Sequence, residues 1–85
     1  MTEAELRKIV LDTLGDIAPE ADLAAVPPDS DLREELDVDS MDFLNFVIAL
    51  HEKLGVDIPE ADYPQLVTVD RAVGYLMERS GPRSG

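Results

Sequence analysis

Residues 36–55 read Leu36-Asp37-Val38-Asp39-Ser40-Met41-Asp42-Phe43-Leu44-Asn45-Phe46-Val47-Ile48-Ala49-Leu50-His51-Glu52-Lys53-Leu54-Gly55. The spacing of their apolar side chains decides the fold class. Phe43, Phe46, Val47, Leu50 and Leu54 recur at i, i+3, i+4, i+7 and i+11, which is one face of an α-helix. Asp39 or Ser40 supplies the start of that helix, and Gly55 supplies a left-handed stop. Met41, Leu44 and Ile48 form a second apolar stripe at i, i+3 and i+7. A small bundle needs only one buried face here, so periodicity leaves two readings of the second stripe. It is either part of a broad core face or a surface covered by a ligand or partner.

Towards the N-terminus, Thr2 and Glu5 have the spacing of a capping box. Leu6, Ile9, Val10, Leu14 and Ile17 then share one helical face, with Leu11 off the stripe, and Pro19 ends the helix. The stretch from Pro19 to Asp39 is too long for an ordinary connection. It holds Pro27-Pro28 and many acids, with Leu23, Val26, Leu32 and Leu36 as anchors and Asp31 as the cap of one brief turn through Leu36. Towards the C-terminus, Ile58 anchors a loop, and Glu60 to Tyr63 is a short helical turn limited by Pro64. Thr68 caps a last helix, with Asp70 in its first turn and Val69, Ala72, Val73 and Leu76 on one face. Tyr75 is expected at the edge of the core. The expected architecture is all-α: a small bundle of three main helices plus one short helix, with a long first loop. One domain spans 1–79, and 80–85 reads as a disordered tail.

The chain has 85 residues, 45% of them hydrophobic, enough for one domain with a small core. It contains no cysteine, so any thiol chemistry requires an added prosthetic group. The acidic N-terminal residues do not form a signal peptide, and no apolar run nears the roughly 20 residues that span a bilayer. Cytoplasmic residence and no membrane insertion are expected. Nineteen acids against 7 bases give a formal net charge of −12, a field that repels nucleic acid and favours partners with basic patches. From Asp29 to Asp62 the acids are Asp29, Asp31, Glu34, Glu35, Asp37, Asp39, Asp42, Glu52, Asp57, Glu60 and Asp62, against only Arg33 and Lys53. An acidic surface by itself reads as solubility; this one crowds around Ser40.

Ser40 has no nearby histidine or lysine in sequence to activate its hydroxyl, so it is a poor nucleophile by itself and a good substrate for another enzyme. His51, the single histidine, has no partner at metal-ligand spacing, and no metal site is expected. A calcium loop counted from Asp37 places Asp42 where glycine is needed and Ile48 where glutamate is needed, so that reading fails. With no titratable pair set up for acid/base work, an enzyme is not expected. An acidic helical interaction module, with Ser40 only a helix cap or a phosphosite, remains open on these residues alone.

Leu36-Asp37-Val38-Asp39-Ser40-Met41-Asp42 and the helix Phe43 to Leu50 resemble the prosthetic-group site and second helix of acyl carrier proteins. The resemblance continues through Leu54-Gly55-Val56-Asp57-Ile58-Pro59 to Thr68-Val69 and into the last helix. It implies that Ser40 carries 4′-phosphopantetheine, transferred from coenzyme A by a Mg²⁺-dependent phosphopantetheinyl transferase. The thiol of that arm would hold acyl groups as thioesters for enzymes of fatty-acid or related lipid or polyketide biosynthesis. A dedicated aminoacyl or peptidyl carrier is the alternative. The resemblance further implies that Asp39 and Asp42 meet basic groups on the transferase and on acyl-transferring and acyl-modifying enzymes, and that Glu52 adds a contact at the far end of the helix. Met41, Leu44 and Ile48 would border both the partner contact and the entrance for an acyl chain. A monomer is expected. Three departures stand out: Asp37 replaces a common glycine, Asn45 and His51 sit at positions often acidic in fatty-acid carriers, and Pro64 falls within the usual short third helix.

Overall fold

A computed structural model describes residues 2–80 and contains no strand among them. Helix α1 spans Glu3–Ile17, α2 Leu32–Glu35, α3 Ser40–Leu54 and α4 Val69–Ser80, with 3-10 segments at Leu23–Ala25 and Glu60–Leu66. The expected all-α bundle is therefore present, with α1, α3 and α4 as its main helices. Helix α4 takes in Ser80, so it ends one residue beyond the expected domain limit, and 81–85 of the expected tail lie outside the described residues.

The local signals explain most boundaries. Thr2 and Glu5 form the capping box that starts α1, and the backbone N–H of Ala18, just before Pro19, closes the helix on the Leu14 carbonyl at 2.8 Å. Gly55 ends α3 in the left-handed region at φ 67°, its N–H donating to the His51 carbonyl. Thr68 Oγ1 accepts from the Arg71 backbone N–H at 3.0 Å and starts α4. Between Pro19 and Asp39 the chain makes two short helical pieces where one had been expected. Asp31 caps α2 as anticipated, and Leu23–Ala25 adds a 3-10 turn. The segment around Pro64 departs further. Proline lacks the N–H that α-helix needs, so Glu60–Leu66 continues through Pro64 as a 3-10 helix instead of stopping before it.

Helix α1 packs against both α3 and α4, and the 3-10 segment packs against α4. The core is Leu6, Val10 and Leu14 of α1, Phe43, Phe46, Val47 and Leu50 of α3, and Val69, Ala72, Val73, Tyr75 and Leu76 of α4, closed by Leu32, Val38, Val56, Ile58 and Leu66. Ile9, Ile17 and Leu54 of the expected stripes are only half-buried. Thr13 is fully buried, and it is satisfied there. Its hydroxyl donates to the Ile9 carbonyl at 2.7 Å and accepts from Lys53 Nζ at 3.0 Å, tying α1 to α3.

Two hydrogen bonds fix the long first loop to the far end of the molecule: the Leu32 N–H donates to the Val67 carbonyl at 2.7 Å, and the Asp70 N–H to the Pro28 carbonyl at 2.9 Å. A side-chain cluster fixes the 3-10 segment to α4. Tyr75 donates its hydroxyl to Asp62 at 2.6 Å, and Arg79 donates to the same carboxylate at 2.8 Å while lying 4.9 Å from the Tyr75 ring.

Burial, and then the hydrogen bond to Asp62, push the Tyr75 hydroxyl up to about 12. Tyrosine in the unfolded chain titrates near 10. Between these values the unfolded chain releases a proton that the folded chain keeps, so this contribution is complete below pH ~10 and is lost as pH rises towards ~12. Chemical denaturation from about pH 9 upward should show a shallower alkaline loss of stability in Tyr75→Phe than in the wild type. Equal slopes would mean that Tyr75 does not contribute.

Candidate functional site

The site is built around the start of α3. The backbone leaves α2 through Asp37, which sits in the left-handed region at φ 54°, the one non-glycine residue there among those described. Asp and Asn tolerate this conformation better than most residues, and glycine adopts it without a Cβ clash. That is the physical sense of the glycine which the resemblance leads one to expect at this place. Val38 then drops into the core, and Asp39 turns extended and caps the helix, its carboxylate accepting from the Asp42 N–H at 2.9 Å. The Asp39 carbonyl accepts from Phe43 N–H at 2.9 Å. Ser40 is thus the first residue of the helix, not its cap.

This placement leaves Ser40 exposed, and among the described residues its hydroxyl has no hydrogen-bond partner. His51 is eleven residues further along the same helix, roughly 16 Å away at 1.5 Å per residue. Its Nδ1 is engaged with the Val56 carbonyl at 2.7 Å. Ser40 therefore has no base of its own.

Ser40 opens onto a cleft of about 460 Å³ between α3, α2 and the 3-10 segment, lined by Arg33, Ser40, Phe43, Leu44, Glu60, Tyr63, Pro64 and Val67. Ser40, Phe43 and Leu44 reach it because residues three and four apart share a helical face. Tyr63 meets Phe43 edge-on, with ring centroids 6.4 Å apart, and the Arg33 guanidinium lies 6.0 Å from the Phe43 ring. Arg33 is held by Asp31, through Nε at 3.2 Å and one terminal nitrogen at 3.1 Å. This pairing holds the Asp31 carboxyl below the usual carboxylate range and Arg33 above its own.

The second apolar stripe divides. Met41 is 65% and Ile48 43% exposed, and neither lines the cleft, whereas half-buried Leu44 does. The stripe is therefore not a broad core face. It is an exposed face for Met41 and Ile48, and of the three only Leu44 lines the cleft. Asn45, His51 and Glu52 are also exposed, and Asp42 is half-buried beside Asp37 and Val38. Arg33, Tyr63 and Val67 were not singled out as site residues from sequence. Tyr63 and Val67 lie more than twenty residues from Ser40 along the chain, and Arg33, only seven residues away, sits on a separate helix; the closure of the bundle brings all three into the lining of one cleft.

The model of the phosphopantetheine attachment site family matches residues 4–76. The acyl carrier protein of Rubrobacter xylanophilus is 32% identical over 74 residues, covering 87% of this chain and 85% of that one. The chain belongs to the acyl carrier protein family. The carrier of Campylobacter hominis is 36% identical over 85% of each chain, and that of Solidesulfovibrio magneticus 32% identical over 95% of this chain and 99% of its own. The solved acyl carrier protein of Enterococcus faecalis superposes with a TM-score of 0.76 at 27% identity, covering 94% of this chain and all of that one. The prosthetic group of this carrier is phosphopantetheine, and the family works with phosphopantetheinyl transferases and acyl-handling enzymes. Among the described residues, no helix is long and apolar enough to cross a membrane.

The residues present fit that group. A free hydroxyl stands at a helix start, the dipole and the first-turn N–H groups other than that of Asp42, which Asp39 engages, favour a phosphate, and the adjoining cleft has apolar walls at Phe43, Leu44 and Val67. The left-handed turn at Asp37 yields the test of this local geometry. Asp37→Gly should relieve the backbone there and raise stability by about 0.5–1 kcal/mol, measured by urea denaturation. A loss of stability would show that the Asp37 side chain contributes more than its backbone costs.

Proposed function

We propose that Ser40 is the attachment residue for 4′-phosphopantetheine and that the chain shuttles acyl groups between separate enzymes without catalysing their reactions. The observation that carries this reading is the position of Ser40: exposed, unpartnered, first in α3 and open to the cleft. A serine that served only as a cap would hold the N-cap place, and Asp39 holds it instead. The Ser40 oxygen attacks the pantetheine-side phosphorus of coenzyme A, the pyrophosphate bond breaks and adenosine 3′,5′-bisphosphate leaves, while the transferase holds the Mg²⁺ and supplies the base that takes the hydroxyl proton. Once attached, the group supplies a terminal thiol to a chain that has none.

The partner surface in this reading is Asp39, Met41, Asp42, Leu44, Ile48 and Glu52, facing basic patches on the transferase and on acyl-transferring and acyl-modifying enzymes. Asp39 serves twice, since a capping carboxylate still projects its charge. Asn45 and His51 make this face less acidic. That favours a specialised lipid, polyketide or aminoacyl pathway beside general fatty-acid synthesis. Residence in the cytoplasm and action as a monomer complete the reading.

Incubation with coenzyme A, Mg²⁺ and a broad-specificity phosphopantetheinyl transferase should add the mass of one phosphopantetheine to the wild type and none to Ser40→Ala. No gain on the wild type refutes the attachment reading. A second measurement separates the two roles of Asp39. Asparagine caps as well as aspartate, so Asp39→Asn should stay within ~0.5 kcal/mol of wild-type stability. Its kcat/KM as transferase substrate should fall by roughly 3–10-fold at low salt, and the gap should close as salt rises. Unchanged kinetics would assign Asp39 to capping alone.

A further inference from the structure

Ser40 shares its cleft with one cation. Of the residues lining that cleft, Arg33 is the one base and Glu60 the one acid, so the guanidinium is the one group there that can attract an anion. The other bases with acidic partners are engaged elsewhere: Arg7 with Glu3 and Asp70, Lys8 with Asp12, Lys53 with Asp16, and Arg79 with Asp62. A phosphodiester on Ser40 would meet the opposite environment on its other side, where Asp37, Asp39 and Asp42 all oppose its charge.

The placement of Arg33 is specific. Ser40 and Phe43 are i, i+3 neighbours with Cβ atoms about 5–6 Å apart, and the guanidinium lies 6.0 Å from the Phe43 ring. Arg33 and Ser40 thus line the same cleft, with Phe43 as their common neighbour. The pairing of Arg33 with Asp31 uses Nε and one terminal nitrogen. Arginine carries five N–H donors in a planar fork, so the other terminal nitrogen remains to meet a phosphate oxygen without release of Asp31. Asp31 then acts as a bracket that holds the guanidinium in place.

We propose that Arg33 binds the phosphodiester on Ser40 and thereby turns the arm across Phe43 into the cleft rather than out along the exposed face of Met41 and Ile48. The inference rests on Ser40 as the attachment site. It makes Arg33 a positioning residue, acting between the attachment point and the space available to the cargo.

The test compares unmodified and modified protein for the wild type, Arg33→Gln and Arg33→Lys, each first checked by intact mass. Comparing the two forms within each variant cancels any structural cost of the substitution. At low ionic strength, modification should change Tm less favourably in Arg33→Gln than in the wild type by about 2–5 °C. Arg33→Lys should recover at least part of that gap. In about 1 M salt, where the screening length is near 3 Å, the gap should close. In the wild type, the Arg33 Nε–H resonance should move on modification while those of Arg7 and Arg79 stay. A wild type that gains no mass removes the attachment reading, and this proposal with it. With mass gain confirmed, equal Tm changes in the wild type and Arg33→Gln, an Arg33→Lys that behaves as Arg33→Gln, a gap that persists in salt, or an unmoved Arg33 resonance overturns the role of Arg33 alone.

Discussion

The hydrogen bond from the Asp42 N–H to the Asp39 carboxylate sets where α3 begins, and the site depends on that starting point. Moving the start by one residue would turn the direction from which the chain enters the helix by about 100°, from the 3.6-residue turn. Ser40 would then no longer be the first helical residue, while Phe43, Phe46, Val47 and Leu50 hold the helix by their burial. The cap is held from behind by the buried Val38 and by the left-handed turn at Asp37. Capping, burial and turn geometry thus agree on one register, which is how a short sequence specifies a single arrangement.

The opposite wall of the cleft is supported differently. Glu60–Leu66 contains a proline and makes a 3-10 helix with few bonds of its own. It is held from outside, by Leu66 in the core and by Asp62, which accepts from both Tyr75 and Arg79 of α4. The neighbouring Val67 carbonyl receives the Leu32 N–H from the first loop. One wall of the cleft is therefore a helix fixed by its cap, and the other a segment fixed by contacts with α4, the core and the first loop.

The helices were legible because burial leaves a period in the sequence. The spacing of Phe43, Phe46, Val47 and Leu50 announces their side of α3, and Thr2, Asp31, Thr68 and Gly55 mark ends through their own hydrogen bonds or left-handed geometry. Ser40 was legible as a hydroxyl without a base. The cleft was not, because Arg33, Phe43 and Tyr63 meet only through tertiary closure, and no local propensity encodes that meeting. The division of the second stripe was also hidden. Met41, Leu44 and Ile48 share one helical spacing, and which of them faces solvent depends on where the 3-10 segment lies. Its 3-10 winding escaped for a related reason: Pro64 signals a break in α-helix, but the contacts of Leu66 and Asp62 carry the chain through it.

Charge explains why the acids around Ser40 remain available. Exposed ion pairs contribute little to stability, typically below about 1 kcal/mol each, but each one neutralises an acid. Among the described residues the pairs engage Glu3, Asp12, Asp16, Asp31, Asp62 and Asp70. None engages Asp37, Asp39 or Asp42. The few bases thus cancel charge along α1, α4 and the first loop, and leave the start of α3 uncancelled. Other acids of the described residues are left unpaired as well, Glu34, Glu35, Glu52 and Asp57 among them. Asp37, Asp39 and Asp42 differ from these in lying within three residues of Ser40, so the negative potential beside that hydroxyl is not cancelled locally.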